Sequence, residues 1–61
     1  MNIKDLYPML ENLYELRGVH VIDGDDYIMY AREAVSYCYL EYSNVDIVSF
    51  EYKNKYMNIY I

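Results

Sequence analysis

The sequence predicts a single small α+β domain in which two helices pack on one face of a short, three-stranded, mainly antiparallel sheet. A length of 61 residues fits one compact domain and leaves no room for two. A hydrophobic content of 56% with a formal net charge of −5 is typical of a chain that folds rather than of a disordered one. The periodicity of the apolar residues alternates between helical and strand spacing, in the order α-β-α-β-β over residues 1–61.

The first helix is predicted from about Leu6 to Arg17. Five apolar side chains share one face of its helical wheel: Leu6, Met9, Leu10, Leu13 and Leu16. Asp5 is the candidate N-cap, and Pro8 is tolerated near the first turn because its missing N–H has no partner there. Gly18 then supplies the C-terminal stop.

A strand is predicted over Val19 to Ile22, because this short run is rich in β-branched residues. The segment from Asp23 to Asp26 that follows allows two interpretations. Asp-Gly between apolar runs is a hairpin signal, which would make residues 27–31 a second strand. The alternative is a helix that starts near the same aspartates.

We prefer the helix, from about Asp25 to Tyr42, with Asp23 or Asp25 as its N-cap. An apolar face about 120° wide supports it. That face contains Tyr27, Ile28, Ala31, Ala34, Val35, Cys38 and Tyr42. Only Met29 and Leu40 fall among the polar residues on the other side of the wheel.

Two further strands are predicted, Val45 to Tyr52 and Tyr56 to Ile61, joined by a turn at residues 53–55. Alternation of side chains gives each strand a core face. The predicted core residues are Val48, Phe50 and Tyr52 in the first and Met57, Ile59 and Ile61 in the second. Ile47, Tyr56 and Tyr60 would then lie on an uncovered face, which we expect to be a docking surface.

No residue pattern indicates catalysis, a metal or a cofactor, and we expect none of them. A single Cys38 excludes paired-cysteine zinc sites and disulfide frameworks. The pattern Asp23-x-Asp25 resembles the start of a calcium loop, but Ile28 stands where that loop needs glycine. A nucleophilic pair of Cys38 with His20 is the one catalytic alternative, although a cysteine on an apolar helix face usually packs as a small hydrophobe.

The charge and the tyrosines indicate what the protein binds. Net charge −5 repels nucleic-acid phosphates and anionic membranes, so we expect neither as a direct partner, whereas a basic protein surface would be attracted. Ten tyrosines beside one phenylalanine and no tryptophan suit a protein interface. We expect the acidic members of that interface to cluster at the start of the second helix and to mimic phosphate spacing. The predicted partner-binding residues are Asp23, Asp25, Asp26, Glu33, Tyr37, Tyr56 and Tyr60.

The function predicted from this surface is inhibition of a protein that handles nucleic acid. Residues with AT-rich codons (Tyr, Ile, Asn, Lys and Phe) make up 25 of the 61 positions, as in low-GC bacteria and many of their phages.

The first residues form no signal peptide, and no apolar run reaches the roughly 20 residues of a membrane span. We therefore expect a cytoplasmic location, in the host cell if a phage encodes the chain.

In general character the chain resembles small phage-encoded inhibitors and DNA mimics. That resemblance implies a non-enzymatic inhibitor of a host enzyme such as a CRISPR effector, a nuclease or a polymerase. The main alternative is a homo-oligomeric structural or regulatory module, a dimer for example, that associates through Ile47, Tyr56 and Tyr60 or through its last strand. A third possible function is that of a small enzyme that uses Cys38 and His20.

Overall fold

A computed structural model describes all residues from 1 to 61 as an α+β domain with two helices and a four-stranded mixed sheet. The elements in chain order are α1 (Ile3–Glu11), β1 (Gly18–Asp23), β2 (Asp26–Ala31), a 3₁₀ turn (Arg32–Ala34), α2 (Val35–Tyr42), β3 (Ser49–Lys53) and β4 (Tyr56–Tyr60). The α+β class and the two helices are confirmed. The prediction of three strands in the order α-β-α-β-β is wrong, because the order is α-β-β-α-β-β.

The segment between the two helices contains a hairpin, and the helix predicted from Asp25 is wrong over its first part. Asp23 pairs with Asp26 across a two-residue turn. Gly24 has φ +61° at the first turn position, where a type II′ hairpin requires a positive φ. The aspartates therefore belong to a turn and cap no helix. From Val35 to Tyr42 the predicted helix is present.

Helix α1 begins three residues earlier than predicted because Asn2, and not Asp5, is its N-cap. The Asn2 side chain accepts hydrogen bonds from the backbone N–H groups of Lys4 and Asp5. The Asp5 carboxylate accepts one in return from the Asn2 N–H at 3.0 Å, which completes a capping box. Pro8 consequently lies beyond the first turn, where it removes one intrahelical hydrogen bond. Gly18, predicted as the helix stop, is the first residue of β1.

The strands are arranged in the order β2-β1-β4-β3, so β1 and β4 are central and β2 and β3 are the edges. β1 runs antiparallel to β2 and parallel to β4, and β3 is antiparallel to β4. The register places Val19 between Tyr30 on β2 and Met57 on β4. One face of three neighbouring strands is therefore apolar.

The core lies between that face and both helices. Its buried residues are Ile3, Leu6, Leu10, Leu16, Val19, Val21, Tyr30, Val35, Cys38, Met57 and Ile59. Because side chains alternate along a strand, helices that contact these residues cover the same side of the sheet. The predicted packing of two helices on one face is confirmed, as is the burial of Met57 and Ile59. Ile61 is half-buried against the same cluster.

The burial predicted for Val48, Phe50 and Tyr52 is wrong, although Phe50 and Tyr52 pair with Ile59 and Met57 and so lie on the core side of the sheet. Val48 is 78% exposed, Phe50 39% and Tyr52 42%, and no β3 residue is buried. Helices of nine and eight residues are only about 13 and 12 Å long at 1.5 Å per residue, and their core partners come from β2, β1 and β4. Ile47 lies outside β3, half-buried against the core, so its predicted place on the uncovered face is also wrong.

The β3–β4 turn contains a position where glycine is expected to stabilise the fold. Asn54 and Lys55 have φ +54° and +69°, as a type I′ turn requires. Asparagine tolerates this conformation, whereas lysine is strained by its Cβ at a cost of about 1–2 kcal/mol. We expect Lys55→Gly to raise the free energy of unfolding by about 0.5–1 kcal/mol after the extra chain entropy of glycine is subtracted. Urea unfolding would measure the gain. Lys53→Gly, in the strand, should lower the free energy of unfolding. If both variants lowered it, the backbone strain assigned to Lys55 would be contradicted.

Candidate functional site

The sheet face opposite the helices is covered by no part of the chain, and we call it the open face. Side chains that alternate with the core residues form it: His20 and Ile22 from β1, Tyr27 and Met29 from β2, Tyr56, Asn58 and Tyr60 from β4, and Glu51 and Lys53 from β3. The sequence placed Tyr56 and Tyr60 here. It did not place Tyr27 or Met29 here, because both were assigned to a helix, and it gave His20 no position on this face.

An aromatic cluster centred on His20 occupies the middle of the open face. The His20 ring stacks on Tyr56 with centroids 4.8 Å apart and an interplanar angle of 6°. Tyr27 meets the same ring edge-on at 5.8 Å and 74°. His20 is opposite Asn58 in the parallel pairing, and its Nδ1–H donates to Asn58 Oδ1 at 2.9 Å. This bond orients the imidazole and leaves Nε2 free for a hydrogen bond with a bound group.

Gly18 makes the stack possible. It pairs with Tyr56 across β1 and β4. A Cβ at Gly18 would lie 3.3 Å from the Tyr56 ring and 2.5 Å from the backbone oxygen of Tyr30. The absence of a side chain therefore lets the tyrosine lie flat against β1, beside His20.

A shallow cavity of about 360 Å³ opens between the aromatic cluster and the β1–β2 turn. Its lining residues are His20, Ile22, Gly24, Asp25, Asp26, Tyr27 and Asn58. Its volume is at the lower end of the range for small-molecule sites. Aromatic faces beside carboxylates suit a cationic group, such as the end of a lysine or arginine side chain.

Only some of the predicted partner-binding residues lie together. Asp23, Asp25 and Asp26 meet at the β1–β2 turn, which we call the acidic hairpin, and this turn borders the open face that carries Tyr56 and Tyr60. Glu33 follows the far end of β2, about 20 Å away at roughly 3.3 Å per strand residue.

Tyr37 is 63% exposed on α2, on the helical side of the sheet. The acidic cluster expected at the start of the second helix is therefore absent, because that helix starts at Val35 and not at Asp25. The acidic hairpin and the open face are the parts of the predicted surface that the fold brings together.

The pair of Cys38 and His20 does not form. Cys38 is 1% exposed in the core, whereas His20 lies on the other side of the sheet. Burial raises the pKa of the Cys38 thiol to about 11, and the Glu41 carboxylate adds to the effect. A buried, protonated thiol is a poor nucleophile, so this geometry does not support a catalytic cysteine.

No three side chains of the His, Cys, Asp and Glu types lie close enough together to hold a metal ion. Neither helix has the length and apolar character that crossing a bilayer requires. Comparisons with protein-family models, curated proteins and solved structures found no match to this chain.

Proposed function

We propose that this chain is a non-enzymatic inhibitor that covers a basic surface of a nucleic-acid-handling protein with its open face and acidic hairpin. The observation that carries the proposal is the junction of these two surfaces. An aromatic face that no chain segment covers ends directly at a turn with three carboxylates among four residues. Exposed apolar patches with a polar border are typical of protein interfaces.

The aromatic side chains are suited to supply most of the binding energy. Tyr27 is 67% exposed and meets edge-on the His20 ring that stacks on Tyr56. Met29, which is opposite His20 in the β1–β2 pairing, is 52% exposed and adds an apolar side chain beside them. Rings that are already held in place lose little side-chain entropy when a partner covers them. Tyrosines of this kind are frequent among the residues that dominate binding.

The carboxylates select the partner. A chain of net charge −5 is repelled by nucleic acid but attracted to the basic channels that bind nucleic acid. Complementary charge accelerates association and excludes acidic competitors. Occupation of such a channel would block the substrate of the partner without any chemical step.

Charge reversal in the acidic hairpin tests the proposal. Asp25→Lys with Asp26→Lys should lower affinity for the partner at least tenfold, because the introduced lysines repel its basic groups where the carboxylates attracted them. The matched control is Glu11→Lys with Glu15→Lys, which changes the net charge from −5 to −1 as the hairpin variant does, at exposed positions outside the acidic hairpin and the sheet.

To measure this, the tagged chain is used to capture proteins from a nuclease-treated lysate of its natural host cells. The activity of any captured enzyme is then assayed. We expect the wild-type chain and the control to retain a basic nucleic-acid enzyme and to inhibit it, and the hairpin variant to do neither. An equal loss in both variants would show that net charge alone is responsible. Failure to retain any such enzyme, or retention without inhibition, would also overturn the proposal.

A homo-oligomeric module is the second candidate, and a second uncovered apolar surface favours it. Phe50 and Tyr52 are exposed on β3, Val48 is exposed just before it, and the outer edge of β3 pairs with no other strand. Under this alternative the mass in solution, measured by light scattering, is a multiple of 7.4 kDa. Tyr60→Ala or Tyr52→Ala should then dissociate the oligomer, and the hairpin variant should leave its mass unchanged.

A further inference from the structure

The outer edge of β2 exposes unpaired backbone groups along a six-residue strand, because β2 is the first strand in the sheet order. In an antiparallel pair, alternate residues hydrogen-bond to the partner strand and the others point away. Asp23 and Asp26 close a two-residue turn and so form a bonded pair. Counting from that pair, the N–H and C=O groups of Tyr27 and Met29 point outward.

Two hydrogen bonds at opposite ends of β1 support this alternation. The Ile22 carbonyl accepts a hydrogen bond from the Ile61 N–H at 2.9 Å and therefore faces away from β2. This direction is the one expected if Ile22 and Tyr27 are opposite each other as a non-hydrogen-bonded pair. The Arg32 N–H donates to the Arg17 carbonyl at 3.0 Å, which continues the series of bonded pairs beyond β2. Both bonds agree with outward-facing groups at Tyr27 and Met29.

The β2 edge also lacks the features that usually prevent strands from pairing with other chains. Natural edge strands carry lysines, prolines or bulges. β2 has the sequence DYIMYA, with a continuous register against β1 and no lysine or proline. Tyr27, Ile28 and Met29 are 67%, 49% and 52% exposed, so apolar side chains are available on both faces of the edge. The opposite edge, β3, carries Glu51 and Lys53.

The charges around the β2 edge indicate which chain could pair with it. Asp25 and Asp26 lie at its start, and Glu41 lies beside it on the helical side, where it accepts a hydrogen bond from Tyr30 at 2.9 Å. The nearby cation, Arg32, is directed toward the loop after α1, where its guanidinium donates to three backbone carbonyls of residues 13–16. A second copy of this chain would bring the same carboxylates and a further charge of −5.

We propose that the β2 edge binds an extended segment of basic and apolar residues from a partner protein, which adds to the sheet as a fifth strand. The inference rests on the proposed function and specifies how the basic partner is held. The backbone of the segment bonds to Tyr27 and Met29, its apolar side chains pack beside those of β2, and its basic side chains approach Asp25 and Asp26. Such strand addition takes affinity from the backbone and specificity from alternate side chains.

The test uses the full chain and a synthetic probe, an eight-residue peptide of alternating lysine and valine with both ends blocked. Hydrogen exchange of each backbone amide is followed by NMR with and without the peptide. We expect exchange at Tyr27 and Met29 to slow at least tenfold, because their N–H groups become hydrogen-bonded. The acidic counterpart, alternating glutamate and valine, should leave both rates unchanged.

Proline substitutions separate edge pairing from general attraction. Met29→Pro removes an outward N–H, and an edge strand tolerates proline where the N–H faces solvent. Tyr52→Pro is the matched control at an outward position of β3, because Lys53 and Tyr56 close the β3–β4 turn as a bonded pair. We expect Met29→Pro to weaken peptide binding at least tenfold and Tyr52→Pro to change it less than twofold. The exchange rates of the wild-type chain decide the question if Met29→Pro fails to fold.

Three results would overturn the inference. The first is unchanged exchange at Tyr27 and Met29 with millimolar basic peptide. The second is slowed exchange without peptide that increases with protein concentration, since the occupant would then be a second copy. The third is binding of the peptide to the open face without protection of β2. This last result would leave the proposed function standing. If instead the hairpin variant still captured the enzyme, the proposed function would be rejected and the result at the β2 edge would be unaffected.

Discussion

Replacement of Gly18 by alanine is expected to lower the free energy of unfolding by about 2–3 kcal/mol, in the upper range for an overpacked site. The new Cβ would lie 2.5 Å from the backbone oxygen of Tyr30 and 3.4 Å from the Cα of Ala31. Both atoms belong to the main chain of β2, so no side-chain rotation relieves the overlap. The β1–β2 pairing has to open instead. A domain of 61 residues has only about 3–9 kcal/mol of stability at the usual 0.05–0.15 kcal/mol per residue, so the loss is severe.

Gly24→Ala is the matched control for this prediction. Nothing lies within 4 Å of a Cβ at Gly24, and its cost comes only from φ +61°, about 1 kcal/mol. Urea unfolding followed by circular dichroism should therefore give a clearly lower free energy of unfolding for Gly18→Ala than for Gly24→Ala. The Gly18 variant should also disturb the proton shifts of His20, because the Tyr56 ring that stacks on it is displaced. A smaller loss at Gly18 than at Gly24 would contradict the overlap.

The sequence could predict the elements in which one pattern dominates. β1, β4 and α2, which is the second half of the helix predicted from Asp25, have a single clear periodicity, and the structure confirms them. Residues 26–31 fit both a helical wheel and a strand, and the wheel was the wrong choice. Two observations favoured the strand: the Asp-Gly pair, and Met29, which falls among polar residues on a helix but lies on the open face of a strand.

The exposure of β3 could not be predicted from its own residues. Phe50 and Tyr52 alternate with Ser49, Glu51 and Lys53 as the residues of a half-buried strand would. Whether they are buried depends on how far the helices extend, and both helices are shorter than their apolar patterns suggested. The first residue of α1, in contrast, could be predicted from the sequence, because Asn2 and Asp5 have the spacing of a capping box.

The candidate site was predictable in its composition but not in its arrangement. Tyrosines and acidic residues were expected at an interface, and the acidic hairpin with Tyr56 and Tyr60 fits that expectation. The His20 cluster depends on which strands are neighbours, because Tyr56 and Asn58 are 36 and 38 positions away along the chain. Local patterns contain no information on that pairing.

Alkaline pH is expected to destabilise the fold through two buried acids on its helical side. Burial, with a smaller contribution from the hydrogen bond to Glu41, raises the pKa of the Tyr30 hydroxyl well above its usual value. Burial likewise raises the pKa of the Cys38 thiol to about 11 from an ordinary value of 9.0. Above pH 9 the unfolded chain therefore releases protons that the folded chain keeps. By linkage, the stability that these groups contribute is complete below pH 9 and falls as pH increases, between 9 and 11 for Cys38 and from 10 upward for Tyr30.

The slope of that loss can be measured and assigned to the two groups. Each contributes at most about 1.4 kcal/mol per pH unit, so Cys38 alone accounts for up to about 2–3 kcal/mol between pH 9 and pH 11. Urea midpoints at pH 8, 9, 10 and 11 would show the decline. Tyr30→Phe with Cys38→Ala keeps the apolar packing largely in place and removes both protons. This variant starts from lower stability at pH 8 but should decline less steeply, because the ionisation that drives unfolding has gone. An equally steep decline in the variant would mean that exposed groups cause the alkaline loss, and that Tyr30 and Cys38 release their protons as readily in the folded chain as in the unfolded one.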